Sequence, residues 1–207
     1  MKYWVIFTSS GPVMWIIVGV FVLAMILFLT KVMQFHRDEI NIPELLKGLR
    51  NTLQRNAFVE ALSLCDNTPG PTAKLLGAAI LAHQNGDDLR MAMDEIAIAE
   101  IPRLERFIRF IGSLGFILPL LGFLGTVVGM TQAFETAKNS PGMITEWAKA
   151  MEPALITTLA GLTGAVICYL AHNYLAARLD AILLDMEKAS MEIISFFDRR
   201  SPAEQGK

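Results

Sequence analysis

Five threonines, Thr126, Thr131, Thr157, Thr158 and Thr163, lie in two long apolar runs that also carry small residues at helical spacing. In the run Phe110–Phe134, Gly115, Pro119, Gly122, Thr126, Gly129 and Ala133 recur at steps of three and four, which places them on one stripe of a helix. In the run Pro153–Ala171, Ala154, Thr158, Gly161, Ala165 and Cys168 do the same, ending near His172. A hydroxyl in such a run can bond a visiting ion or carboxyl group, or turn back on a carbonyl of its own helix. The small residues suit either close helix packing, Gly125-x-x-x-Gly129 being one such spacing, or a polar lining. Periodicity leaves both open. No Asp or Glu falls inside these runs, so if protons move there the titrating carboxylate must come from another chain.

Those residues need helices long enough to hold them in lipid. Gly11–Leu29, Phe110–Phe134 and Pro153–Ala171 are each free of charge, and about 20 apolar residues cross a hydrocarbon core. In a chain of 207 residues that is 53% hydrophobic and 18% charged, three such runs predict an all-α, three-span transmembrane protein in contact with membrane lipids.

Basic residues orient it. Lys31, Arg37, Lys47 and Arg50 follow the first span, Arg103, Arg106 and Arg109 precede the second, and Arg178, Lys188, Arg199 and Arg200 follow the third. Only Lys2, Lys138 and Lys149 lie on the other side, so the positive-inside rule predicts an outside N-terminus and a cytoplasmic C-terminus. The expected order is an extracytoplasmic segment 1–12, spans at 13–32, 107–134 and 153–177, a periplasmic loop 135–152, and cytoplasmic helical regions at 33–106 and 178–207. The first span reads as an anchor that stays, because its apolar run is long, its basic charge follows it and no A-x-A site comes after.

The cytoplasmic parts read as long helical extensions. Leu45, Leu46, Leu49 and Leu53, then Phe58, Leu62 and Cys65, then Leu75, Leu76, Ala79 and Ile80 keep helical spacing between breaks at Pro43, 68–71 and 85–88. Asp87 or Asp88 is the expected N-cap of a helix that runs to the second span, with a kink at Pro102. The third span continues through Leu179, Ile182, Met186, Ile193 and Phe197 without a break. These extensions are expected to splay from the spans and pack against neighbours.

Several functions are disfavoured. A net charge of −2 gives no reason to expect nucleic acid. No P-loop pattern is present, and no cofactor or metal is expected, since His36, His83 and His172 stand apart from one another and from any cysteine pair. Cys65 and Cys168 fall in different compartments of this topology and cannot pair. An enzyme is not expected, as Cys168 with His172 is the sole intramembrane nucleophile–base candidate.

The run LPLLGFLGTVVGMTQAF (118–134) resembles the second-span signature of the ExbB/TolQ/MotA proton-channel family. ALITTLAGLTGAVICYLAHNYL (154–175) is similar to its third-span signature, and EALSLCDNTPGPTAKLL and IPRLERFIRFIG also resemble the family, nearer its ExbB/TolQ branch than the four-span flagellar one. The likeness covers roughly Gln54 to Leu179.

The resemblance implies a homopentameric ring in the bacterial inner membrane, its second and third spans lining a pore around a dimer of a single-span ExbD/TolR-like partner. That partner supplies an intramembrane Asp, and ion flow is coupled to work through it. The ion path falls on Thr126 and Thr158, with Thr157 an extra hydroxyl, and the pore-helix small-residue face on Gly115, Pro119, Gly122, Gly129, Ala154, Gly161 and Ala165. Family members tend to carry a Glu just before the third-span Thr. Its place here is Pro153 with Glu152 beside it, and Glu135 and Glu152 are set at the outer mouth. Hydroxyls suit H⁺ or Na⁺, and the branch favours H⁺. The alternative is a non-conducting scaffold whose glycines only pack and whose cytoplasmic helices recruit partners.

Overall fold

A computed structural model describes residues 11–37, 42–139 and 144–204. Among them the chain is all-helical, in six helices: α1 (Gly11–Arg37), α2 (Ile42–Gln54), α3 (Phe58–Asn67), α4 (Pro71–Asn85), α5 (Leu89–Asn139) and α6 (Ile144–Glu204). Three are long and apolar enough to cross a membrane by length and composition, within Gly11–Phe35, Leu89–Glu135 and Trp147–Arg199. Residues 1–10 of the expected extracytoplasmic segment, 140–143 of the expected loop and 205–207 of the tail lie outside the described residues. What was expected as a loop over 135–152 is helical at 135–139 and 144–152.

Local chemistry sets the helix ends. Asp88 caps α5, its Oδ1 accepting the Arg90 N–H at 2.8 Å, which satisfies one of the four unpaired donors of a helix start. Gly86 closes α4 in the left-handed region at φ 77°, where lack of a Cβ removes the steric cost. The end of α2 was not visible as a break, since neither Gly nor Pro marks it. There Asn56 takes φ 58°, with Ala57 N–H bonded to Thr52 O and Asn56 N–H to Leu53 O, the paired bonds of a Schellman motif. Pro43 lies in the first turn of α2 rather than breaking the chain there, a place where its missing N–H costs nothing.

Two compact units emerge: residues 1–30 with 107–174, and 31–106 with 175–207. The first holds a small core of Ile17, Ala24, Leu114, Leu118 and Cys168. Phe28 and Tyr174 meet edge to face at 6.3 Å.

In the second unit the extensions pack on one another. Leu49, Leu53, Leu76 and Ile80 are fully buried and pack in one core with Met186, Ala189, Ile193 and Phe197 of α6. Short helices α2 to α4 each expose an apolar stripe, and the tail supplies the surface that covers them. Each fully buried Leu or Ile contributes about 1.5–3 kcal/mol relative to exposure. His83 stacks on Phe197 at 3.9 Å between ring centroids, and Phe58 lies 6.1 Å from the same imidazole. Lys74 bridges to Glu100 at 2.9 Å on the surface.

Candidate functional site

Residues 107–139 of α5 and 144–174 of α6 run antiparallel along a seam of small residues in the first unit. As α5 descends through 129, 125, 122, 115 and 112, the facing positions of α6 climb through Ala154, Thr157, Thr158, Cys168 and His172. A methyl added at Gly122 would lie 3.1 Å from the Thr158 Cα and 3.2 Å from the Thr157 carbonyl oxygen. At Gly125 it would lie 2.8 Å from the Thr157 Cβ, and at Gly129 it would overlap the Ala154 methyl. From the other side, Gly161 presses on the α5 backbone, where a methyl would meet Leu118 O at 2.6 Å and Gly122 Cα at 2.9 Å. Backbones approach this closely because lipid offers apolar helices no hydrophobic drive, and dispersion at short range must hold them together.

One side-chain bond crosses the seam at its centre. Thr158 Oγ1 donates to the carbonyl oxygen of Gly122 at 2.8 Å. In an α-helix that carbonyl also accepts the N–H four residues on, which is Thr126. The two threonines therefore share one backbone oxygen as their link. Thr126 Oγ1 itself donates to Phe123 O at 2.6 Å, and Thr157 Oγ1, with its residue 1% exposed, donates to Ala154 O at 2.7 Å. Thr131 and Thr163 likewise bond Val128 O and Leu159 O.

Several of the expected site residues thus meet. Gly122, Gly161 and Thr158 converge at one crossing, Thr157 faces Gly125, Ala154 faces Gly129, and Gly115 faces Cys168, whose Cβ would lie 3.2 Å from a methyl added there. Ala165 turns instead toward the core around Ile17 and Leu118. Pro119 is half-buried, and Glu135 and Glu152 are exposed near the helix ends. Gly112, Gly125 and Gly164 belong to the packing as well, though the expected face omitted them. A methyl added at Gly164 would lie 3.3–3.4 Å from Leu118 and Phe21. The one available signal was the i, i+3, i+4 recurrence of glycine itself. Among the described residues no group of three or more His, Cys, Asp or Glu is placed to hold a metal ion.

Comparison with known proteins matches residues 66–188 to the model of the MotA/TolQ/ExbB proton channel family, a stretch that includes the whole seam. Biopolymer transport protein ExbB of Neisseria gonorrhoeae is 26% identical over 93% of this chain and 96% of its own length. A biopolymer transport ExbB homolog of Methanothermobacter thermautotrophicus is 24% identical over 84% of this chain, which spans 63% of that relative. The Tol-Pal system protein TolQ of Haemophilus influenzae is 29% identical over 53% of this chain and 49% of its own length.

Proposed function

The chain belongs to the MotA/TolQ/ExbB proton channel family, and from that premise we propose that it is the ring-forming subunit of a channel that turns an ion-motive force into mechanical work. Three apolar helices and the family make it a multi-pass membrane protein. Five copies are proposed to surround two single-span ExbD/TolR-like helices in the bacterial inner membrane, with the N-terminus periplasmic and the C-terminus cytoplasmic. The ion is H⁺.

One observation carries the reading: a family of proton channels matches the two helices that hold the threonines, in apolar runs that contain no carboxylate. Such a wall needs a visiting acid. The partner's Asp takes up a proton, moves past Thr126 and Thr158, and releases it on the other side, its contacts with each subunit changing with its charge. Each charge crossing gains about 2.3 kcal/mol per 100 mV, so a step requires several small contacts to switch together. Glu135 and Glu152 are placed at the outer mouth, where carboxylates concentrate cations.

The scaffold reading has its own support, since each threonine hydroxyl is already bonded within the chain and the glycines pack. Proton flux in vesicles carrying the chain with its co-purifying single-span partner separates the two. The channel predicts that a double Thr126→Val, Thr158→Val variant loses flux and coupling. Unchanged flux in that variant would leave the scaffold.

A further inference from the structure

We propose that His172 is a proton-binding station at the Gly112 end of the α5–α6 seam, accepting its proton on Nε2 while Nδ1 stays bonded to the carbonyl of Ile108. The inference rests on the proton-channel reading and adds to it a titrating group from this chain.

The tautomer follows from the partner. Nδ1 lies 3.0 Å from Ile108 O, and a carbonyl only accepts, so Nδ1 carries the hydrogen and Nε2 of the neutral ring holds a lone pair. Protonation at Nε2 gives an imidazolium in which both nitrogens donate, and the bond to Ile108 survives. The ring therefore takes up and returns a proton without turning. The proton arrives from hydronium or from the partner's carboxylic acid, leaving water or a carboxylate. It departs to water, and no other bond changes.

The site is shaped for the ring. A methyl at Gly112 would lie 3.1 Å from both Nδ1 and Cε1, so glycine there opens the notch into which that edge fits. His172 is half-buried, neither sealed from water nor free in it. It is the one histidine of its unit, in a chain whose apolar runs lack acids, and it follows directly on the run Pro153–Ala171. The charged and titratable groups nearest Ile108 and His172 along the two helices are Glu105, Arg106 and Arg109 of α5 and Cys168, Tyr169, Tyr174 and Arg178 of α6, while residues 11–30 of α1 carry none.

Nitrogen-15 spectra of histidine in the full chain, embedded in lipid nanodiscs, test this directly, with the His172 signals identified by their loss in His172→Gln. The expected result is Nδ1 protonated throughout and Nε2 gaining a proton when the sample is acidified. An Nε2 still bare at pH 5, or protonated in the neutral ring at pH 8, overturns the proposal. Proton flux through the complex with its single-span partner gives a second reading, and His172→Gln is expected to lower it at least about tenfold. If Thr158→Val abolishes flux and His172→Gln leaves it unchanged, the station is wrong and the channel stands. If the wild-type complex carries no proton flux, both fall.

Discussion

Thr158 and Gly122 are joined across two helices by a hydroxyl-to-carbonyl bond of 2.8 Å. The oxygen that receives it belongs to a residue with no side chain, which is why the hydroxyl reaches it. Thr158→Val keeps the shape and removes the donor. Because such bonds are worth about 0.6–2 kcal/mol in a membrane, the variant is expected to unfold earlier in denaturing detergent by that amount while keeping its helix content.

Glycines here are not equivalent. At Gly161 a methyl meets backbone atoms of α5 at 2.6–2.9 Å, whereas at Gly19 nothing lies within 4 Å. Gly161→Ala is expected to destabilise by about 1–3 kcal/mol through overpacking. Gly19→Ala, in a helix, is expected to be neutral or to stabilise by a few tenths up to about 1 kcal/mol. Unfolding of the two variants side by side checks the contrast.

Phe197 fixes the tail helix to the short helices of its unit, with 3% of its surface exposed and the His83 ring stacked on it. Phe197→Ala is expected to cost about 3–5 kcal/mol. Limited proteolysis detects this as new cleavage in residues 42–85 under conditions that leave the wild type intact.

Burial pushes the Cys65 thiol up from 9.0 to about 11, and the neighbouring Asp66 carboxylate adds to the shift. At pH 8 the native thiol is expected to resist alkylation and the unfolded chain to react. On raising the pH the unfolded thiol ionises first, so the native state holds more protons and stability falls with pH. The contribution is whole below about pH 9 and declines until about pH 11. Alkylation rates with and without denaturant, followed against pH, check both statements.

Much of this was legible along the chain. Charge-free runs marked the three long helices, and Asp88 announced the start of α5. The end of α2 was hidden because Asn56 reaches the left-handed region without the glycine that usually signals it. The core of the second unit was hidden for a different reason. Periodicity shows that Leu49 and Leu53 have an apolar side, and likewise Ile193 and Phe197, but not that these sides close on each other. The same holds for the seam: spacing put Gly122 and Thr158 on stripes, and only the fold aligned Gly125 with Thr157 and Gly112 with His172.

Thr126, Thr131, Thr157, Thr158 and Thr163 each give their hydrogen to a carbonyl. What remains on every one of those oxygens is electron density alone. A hydroxyl so committed can offer its oxygen to a hydronium, a sodium ion or the O–H of a neutral acid, but has no hydrogen left for chloride or an ionised carboxylate. Bonds the protein makes with itself thus leave these hydroxyls as acceptors only.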